Sequence, residues 1–159
     1  MRIIVMSDSH GAFYSVKQIF EDNPGADLFI HLGDGARDFE EAGWVFPQTS
    51  RKAVRGNCDY AYDLELPLDG LLELDGKRIY YTHGHQYQVK HGLEQMERAG
   101  RERNADVVLY GHTHTALAEY RDGLWLVNPG SVTDSSYSPA GYLALDITPA
   151  GIVPVLRLL

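Results

Sequence analysis

The segment Ile3-Ile4-Val5-Met6-Ser7-Asp8-Ser9-His10-Gly11 joins a continuous apolar run to a group of polar side chains. Four consecutive apolar residues predict a β-strand that is buried on both faces, as in a parallel sheet covered by helices. The same order recurs twice: Leu28-Phe29-Ile30 leads into Gly33-Asp34-Gly35, and Lys52-Ala53-Val54 leads into Gly56-Asn57-Cys58-Asp59. The first third of the chain therefore consists of strands that each deliver a polar loop.

The remaining elements follow from spacing and turn residues. Helices are predicted at 14–21 and about 89–103, where apolar residues recur with helical spacing, and a polar helical segment is predicted at 37–43. A hairpin at 71–74 and 78–82 turns at Asp75-Gly76 and ends at Thr82-His83-Gly84-His85. A strand at 107–110 leads into Gly111-His112-Thr113-His114, and antiparallel pairs follow at 116–120 with 124–127 and 142–147 with 152–158. These elements predict one mixed α/β domain over 1–159.

Composition narrows the classes of partner. The 159 residues, 44% of them hydrophobic, suffice for one core, and no apolar run approaches the roughly 20 residues that span a bilayer. The net charge of −8 gives no long-range attraction to a nucleic-acid polymer or an anionic membrane. Cys58 is the single cysteine, so we expect no internal disulfide and a cytoplasmic location. A homo-oligomer stays open.

The polar loops carry ligands for divalent metal ions. Loops at the carboxyl ends of neighbouring strands lie along one rim of an α/β sheet, where ligands bind. Two ions roughly 3.5–4 Å apart need a ligand that touches both, and we expect Asp34 to be that bridge. Asp8 and His10 would share a face in an extended conformation, and a turn at Gly11 would aim both at one ion. His112 and His114 have the same spacing, and Gly111 would allow a sharp bend.

The ordered motifs D-x-H, G-D, G-N-x-D, H-G-H and G-H-T-H resemble those of the calcineurin-like metallophosphoesterases. Gly56-Asn57-Cys58-Asp59 and Asn128-Pro129-Gly130-Ser131 are similar to segments of the YfcE-like phosphodiesterase branch of that family. The resemblance implies a sandwich of two mixed β-sheets flanked by helices, with two metal ions at the rim. It implies a first metal site of Asp8, His10, Asp34 and His114, and a second of Asp34, Asn57, His83 and His112.

The resemblance also implies a function. We expect a phosphodiesterase in which a hydroxide that bridges the two ions attacks the phosphorus atom. The residues expected to act in catalysis are Asp34, Asn57 and His85. Many members of the family have a histidine after the asparagine, which is thought to protonate the leaving group, whereas this chain has Cys58, a poor proton donor. His85 is the expected substitute, and hydrolysis should be slow or sensitive to the leaving group.

The ions and the substrate are predicted from charge and ligand type. Two divalent ions carry +4, and Asp8, Asp34 and a hydroxide remove three charges, which leaves about +1. That balance suits the single negative charge of a phosphodiester, and Arg37 and Arg55 are candidate helpers. Oxygen and imidazole ligands suit manganese, iron, nickel or zinc, and the resemblance favours manganese.

Several alternatives stay open at this stage. The family includes a retromer subunit that uses the fold as a non-catalytic protein-binding scaffold, and a phosphomonoesterase or cyclic-nucleotide phosphodiesterase would use the same ions. Three tyrosines near the ligand loops would stack on a nucleobase or fill the core: Tyr60, Tyr62 and Tyr87. Asn128-Pro129-Gly130 is either a rigid turn or packs beside the metal loops, and Asp59 either orients a ligand or caps a turn. His31 is expected to be a hydrogen-bonded core residue, and His91 a surface residue.

Overall fold

The computed structural model describes residues 1–60 and 65–159, and within them ten strands form two five-stranded sheets. The strands, in chain order, are β1 (Arg2–Met6), β2 (Leu28–His31), β3 (Arg51–Ala53), β4 (Asp69–Leu74), β5 (Lys77–Thr82), β6 (Val107–Leu109), β7 (Leu117–Arg121), β8 (Leu124–Asn128), β9 (Gly141–Thr148) and β10 (Gly151–Leu158). The helices are α1 (Phe13–Asp22), α2 (Ala36–Val45) and α3 (Glu94–Glu102), with a short 3₁₀ helix at His85–Tyr87.

Both sheets mix parallel and antiparallel pairing. Sheet A has the order β10-β9-β1-β2-β3, in which β1, β2 and β3 are parallel and β9 and β10 pair antiparallel to their neighbours. Sheet B has the order β4-β5-β6-β8-β7, in which β5, β6 and β8 are parallel and the two edge strands are antiparallel. The predicted sandwich of two mixed sheets is confirmed.

Side chains alternate between the two faces of each strand, and this alternation explains how the sheets and helices pack in layers. Ile3 and Val5 of β1 lie between the sheets in one apolar cluster with residues of sheet B such as Ile79, whereas Ile4 and Met6 face the helices α1 and α2. Helix α3 covers the other face of sheet B, where its apolar residues pack on β5, β6 and β8. Because both faces of the central strands are covered, their runs are apolar throughout, as the sequence indicated.

One predicted element has a different start. The helix expected over about 89–103 begins only at Glu94, because the chain first forms the 3₁₀ helix and a turn. Gln88 and Gly92 have φ of +51° and +140°, which are incompatible with an α-helix. Val89 is nevertheless buried in the same apolar cluster as Met96. The apolar spacing from Val89 onward therefore predicted correctly that this residue is buried, although the residue is not helical. The other predicted elements agree with the structure to within two residues at each end.

The arrangement of the sheets creates one functional rim. The parallel strands of sheet A and those of sheet B all end at the motif loops or at Asn128. In α/β proteins this is the edge where ligands bind. None of the helices in the described ranges is both long and apolar enough for a membrane span.

Candidate metal centre

The structure brings together all seven side chains that were predicted to be metal ligands. They follow five strands, each with a parallel neighbour: Asp8 and His10 come after β1, Asp34 after β2, Asn57 after β3, His83 after β5, and His112 and His114 after β6. Residues separated by more than 100 positions in the chain therefore meet at one place.

Asp8, His10 and His114 form the first group. Their nearest ligand atoms all lie within 4.8 Å of one another. The Asp8 Oδ1 atom is 3.1 Å from His114 Nε2 and 3.7 Å from His10 Nε2, and the two Nε2 atoms are 3.3 Å apart. A carboxylate and two imidazoles that converge in this way suit a divalent cation.

Asp34, His83 and His112 form the second group, and their ligand atoms also lie within 4.8 Å of one another. The His83 Nε2 atom is 3.3 Å from Asp34 Oδ2 and 3.0 Å from Asn57 Oδ1. Asn57 is thus placed at the same point as the histidines, as the proposed ligand set requires.

Asp34 lies between the two groups. Its Oδ2 atom is 3.9 Å from His10 Nε2 and 3.3 Å from His83 Nε2. Its other oxygen, Oδ1, accepts a hydrogen bond of 2.7 Å from the backbone N–H of Cys58, which fixes the carboxylate plane. This is the position that the predicted bridging role needs.

Unpaired acceptors show that the donor set fits cations. The Nδ1 atom of His83 is 2.8 Å from the Leu32 carbonyl, which can only accept, so Nδ1 carries the hydrogen. The Nε2 atom faces two further acceptors, Asp34 Oδ2 and Asn57 Oδ1. Burial lowers the pKa of His83, but Asp34 and Asp8 outweigh it and raise that pKa, so this position attracts positive charge. Asp8 Oδ1 is buried and has no hydrogen-bond partner among the described residues. Acceptor atoms that converge on one point are stabilised by a cation, and a backbone carbonyl that orients a histidine is typical of metal sites.

The protonation states also fit metal ligation. Burial by itself would raise the pKa of Asp8, but the neighbouring imidazoles of His10 and His114 hold it well below its usual range. The pKa of Asp34 is lowered to about 2, because the hydrogen bond and charge of His83 outweigh burial. Burial, assisted by His83, lowers the pKa of His112 to about 4. At neutral pH the two carboxylates are ionised and His112 is neutral, which are the ligand forms of these groups.

The backbone at the ligands is unusual. Asp8, His10, Asp34, His112 and His114 all have φ between +45° and +69°. Residues other than glycine rarely adopt this backbone conformation, and those that do adopt it cluster at functional sites. The expectation that Asp8 and His10 share a face of an extended chain is therefore wrong, because both lie in left-handed turns.

Glycines in the motifs allow close approach between loops. A Cβ at Gly56 would lie 2.1 Å from Asp34 Oδ1, and one at Gly111 would lie 2.1 Å from Ser7 Oγ and 2.9 Å from Asp8 Oδ2. Gly111 does not have a positive φ, but the chain turns sharply directly after it, since His112 has φ of +69° and the Thr113 N–H donates to Gly111 O at 2.8 Å. The lack of a side chain at Gly111 also lets the Asp8 loop touch the histidine loop.

Two carboxylates hold the loops of sheet A in place. Asp59 accepts hydrogen bonds from the backbone N–H groups of Asp34, Gly35, Ala36 and Gly56, at 2.7–3.1 Å, and so ties the loops after β2 and β3 together. This decides the alternatives for Asp59, which both orients a ligand loop and caps the first turn of α2.

Asp38 was not singled out from the sequence, yet it supports the loop after β1. Its Oδ2 atom accepts hydrogen bonds from Ser9 Oγ at 2.7 Å and from the Gly11 N–H at 2.9 Å. Ser9 Oγ also contacts Nε2 of His31, whose Nδ1 accepts from the Gly33 N–H. His31 is fully buried and hydrogen-bonded, as expected, and burial lowers its pKa to about 4.

The Asn128-Pro129-Gly130-Ser131 segment packs beside the ligand loops. Asn128 Nδ2 donates to Gly111 O and Thr113 Oγ1, both at 3.0 Å, and Ser131 Oγ donates to Asp8 O at 2.8 Å. Asn128 Oδ1 also accepts from the Gly130 N–H, so the segment is a turn as well. Both interpretations of this segment therefore hold.

His85 and Cys58 lie at the edge of the centre. The His85 ring centroid is 5.4 Å from that of His83 and 6.1 Å from that of His112, and burial lowers its pKa below the ordinary value. Its role as leaving-group acid stays a prediction, and a ring that is neutral at pH 7 is a weaker proton donor. Cys58 is exposed, and partial burial with the nearby Asp34 charge raises its thiol pKa.

The remaining candidates divide by position. Tyr87 hydrogen-bonds Tyr80 and packs at the edge of the sheet B core, whereas Tyr60 is exposed and Tyr62 lies outside the described residues. His91 is exposed, as expected. Arg37 pairs with Glu41 on the surface of α2, and Arg55 lies close enough to His85 for its charge to lower the pKa of that ring.

Comparison with known proteins agrees with this geometry. Residues 1–149 match the family model of the calcineurin-like phosphoesterase superfamily domain. The chain is 34% identical over 134 residues to the probable metallophosphoesterase YsnB of Bacillus subtilis, which covers 83% of this chain and 75% of YsnB. It is 31% identical over 168 residues to the phosphodiesterase YfcE of Escherichia coli, with coverage of 92% and 88%.

Solved structures show the same fold. The structure of YfcE, a phosphoesterase from E. coli, superposes with a TM-score of 0.70 at 29% identity and covers 99% of this chain and 100% of its own. Wild-type Vps29 of Entamoeba histolytica, solved in complex with zinc, has a TM-score of 0.77 at 19% identity, over 96% of this chain and 89% of its own, which shows the fold alone. The family match, the relatives and the shared fold lead to one conclusion: this chain belongs to the calcineurin-like phosphoesterase superfamily.

Proposed function

We propose that this protein is a phosphodiesterase that depends on two divalent metal ions, with Mn²⁺ as the ion of choice. Asp8, His10, Asp34 and His114 would hold the first ion, and Asp34, Asn57, His83 and His112 the second. The observation that carries the proposal is the convergence of carboxylate, carboxamide and imidazole ligand atoms at one point. His83 Nε2, Asp34 Oδ2 and Asn57 Oδ1 face one another within 3.3 Å of the imidazole nitrogen, and the buried Asp8 Oδ1 has no partner in the described part of the chain.

Two bound divalent ions supply a nucleophilic oxygen at neutral pH and neutralise charge on the phosphoryl group. The residues of the chain set the geometry for this chemistry. Asp34 is held by the Cys58 N–H so that its free oxygen points between the two histidine groups. Asp59 and Asp38 fix the loops that present the ligands, so little reorganisation is needed when the substrate binds.

Charge favours a diester over a monoester. Asp8 and Asp34 offset half of the +4 that two divalent ions bring. The remaining positive charge suits a phosphodiester, which carries one negative charge, whereas a dianionic monoester gains from further cations. Arg55 and Lys90 are cationic side chains near the centre, since their charges lower the pKa of His85 and of His112, respectively. The two relatives named phosphodiesterase, YfcE and MJ0936 of Methanocaldococcus jannaschii, support the same choice.

The test removes metal with a chelator and restores Mn²⁺. Turnover of bis(4-nitrophenyl) phosphate should appear only after metal is restored and should exceed turnover of 4-nitrophenyl phosphate. Asp34→Asn and His83→Ala should abolish both metal retention and turnover, whereas His91→Ala, a substitution of an exposed histidine, should change neither. Faster turnover of the monoester by fully loaded protein would overturn the diester assignment.

A non-catalytic scaffold is the second candidate. Vps29 of Schizosaccharomyces pombe is 37% identical to this chain over 82 residues, which is 52% of this chain and 43% of that protein. The complete set of convergent ligands favours catalysis, because a protein-binding surface does not require it. Metal-loaded protein that hydrolyses neither ester but binds a protein partner tightly would support the scaffold.

A further inference from the structure

A pocket of about 520 Å³ opens directly beside the histidine loop of the candidate centre. His112 and His114 form one wall, so the pocket shares side chains with both proposed metal sites. The other walls come from three separate parts of the chain, the segment before α3, the region from β6 to β7 and the loop before β9: Val89, Lys90, Leu93, Tyr110, Leu117 and Tyr137. The volume lies in the range of small-molecule sites.

The walls away from the histidines are mainly apolar. Val89 and Tyr110 are buried at the base, where they belong to the apolar cluster under α3. Leu93 and Leu117 are half-buried and pack against the same cluster. Tyr137 is 76% exposed, although it lines the pocket, so its ring is available for contact with a ligand.

The two threonines of the pocket are engaged in hydrogen bonds within the protein. Thr113 Oγ1 accepts hydrogen bonds from Asn128 Nδ2 and from the Thr115 N–H, and Thr115 Oγ1 donates to Thr113 O. No side-chain amide or carboxylate lines the pocket within the described ranges. Lys90 forms no ion pair with a described residue and lines the pocket together with His112.

We propose that this pocket binds the non-reacting substituent of the phosphodiester, and that this substituent is an aromatic or similarly flat apolar group. The ammonium of Lys90 then approaches the negatively charged phosphoryl oxygens. Apolar walls reward burial of a hydrocarbon surface. Within the described ranges no side-chain amide or carboxylate lines the pocket to read the edge of a nucleobase. This inference rests on the proposed function, because it assigns the substrate class of the same centre.

The first experiment measures binding without turnover. Diphenyl phosphate and dimethyl phosphate differ only in their substituents. Phenoxide and methoxide are both poor leaving groups, so the two diesters are hydrolysed slowly. Binding to the protein is followed by methyl NMR of Val89, Leu93 and Leu117. Mg²⁺ replaces Mn²⁺ in this experiment, because Mn²⁺ is paramagnetic and broadens the signals. Diphenyl phosphate should bind at least ~10-fold more tightly and shift these methyl signals. Equal affinities, or shifts confined to other parts of the protein, would overturn the proposal.

The second experiment measures selectivity during turnover in Mn²⁺. Bis(4-nitrophenyl) phosphate and methyl 4-nitrophenyl phosphate release the same leaving group but retain different substituents. The ratio of their kcat/KM values should favour the aryl diester by ~10-fold or more and should fall by about threefold or more in Tyr137→Ala, mainly through KM. Tyr14→Ala removes a tyrosine that is 83% exposed on α1 and should leave the ratio unchanged.

The two experiments separate the two proposals. Selective binding of diphenyl phosphate at the pocket without turnover of either diester would contradict the proposed function and retain the pocket. Turnover of both diesters with equal kcat/KM, together with equal binding of the two phosphates, would contradict the pocket and retain the proposed function.

Discussion

Sheet A supplies both carboxylates of the candidate centre, Asp8 and Asp34, whereas sheet B supplies three of its four histidines. The loops of sheet A are tied to one another by charged acceptors, since Asp59 accepts four backbone hydrogen bonds and Asp38 two hydrogen bonds. The histidine loop after β6 is tied by the neutral side chain of Asn128. The comparison teaches that sheet A provides the carboxylates on loops that are held by charged side chains. Sheet B provides histidines, and the loop after β6 is held by a neutral side chain.

Contacts across the two sheets join these halves. The Asp8 Oδ2 atom accepts from the His112 N–H at 3.0 Å, and the Leu32 carbonyl accepts from His83 Nδ1 at 2.8 Å. Each half therefore orients a ligand of the other, so damage to one sheet should reach the opposite group of ligands.

The largest expected effect compares a charged ligand with a neutral one. Asp8→Asn removes a negative charge next to the proposed ions, and a unit charge at about 4 Å contributes about 4 kcal/mol at an effective dielectric constant of 20. We expect metal affinity and turnover to fall roughly 10³-fold, and less in His112→Ala, which removes a neutral donor. Metal affinity is measured by calorimetry, with His91→Ala as the control. An equal loss of metal affinity in Asp8→Asn and His112→Ala would contradict the conclusion that sheet A supplies the charged ligands and sheet B the neutral ones.

The next prediction concerns stability on metal binding. Mn²⁺ at 100 times the Kd of each site should add about 2.7 kcal/mol per ion to the free energy of unfolding, about 5.4 kcal/mol for two ions, because the ions bind the folded state. Urea titrations with Mn²⁺ and with chelator measure this difference. Hydrogen exchange should slow more at residues 111–114 of sheet B than at 34–36 of sheet A, whose N–H groups already donate to Asp59. Equal slowing in both loops would show that neither half is held more strongly.

A third pair of variants tests the two supports directly. Asp59→Asn leaves one acceptor oxygen for four N–H donors, and residues that orient metal ligands typically change affinity 10–100-fold. Asn128→Ala removes three neutral hydrogen bonds and should have a smaller effect on metal affinity. Asp122→Asn, in the exposed turn between β7 and β8, is the matched control for the loss of charge. The reverse order of the two effects would contradict the comparison.

Much of the fold and of the ligand set could be predicted because the evidence for them is local. Apolar runs such as Ile3 to Met6 indicate buried strands, and each is followed at once by Asp, His or Asn residues that the topology must place on one rim. The turn at Asp75-Gly76 was predictable for the same reason, and both residues have positive φ in the structure.

The supports and the pocket depend on contacts between distant residues, which no local pattern records. Asp38 reaches Gly11 across 27 positions, and its sequence context is that of an ordinary residue in the first turn of a helix. The pocket combines Val89 with Tyr137, which lie in separate loops. The late start of α3 was also missed, because the spacing of Val89 and Leu93 fits a helix, and the backbone at Gly92 does not.

The smallest expected effect sharpens the comparison at a contact between the halves. Ser131, which follows β8 of sheet B, donates from Oγ to the carbonyl of Asp8 in sheet A, and both groups are buried. Ser131→Ala should lower the free energy of unfolding by about 1 kcal/mol, the usual loss for one buried hydrogen bond, and should weaken metal binding only slightly. Ser136→Ala, at an exposed serine, should change neither quantity. Asp8 is also held by the Ser7 hydroxyl and by the His112 N–H, so the loss of one further hydrogen bond should be tolerated. A loss of metal affinity as large as that in Asp59→Asn would show that the Ser131 contact positions the Asp8 carboxylate more than the loops of sheet A do.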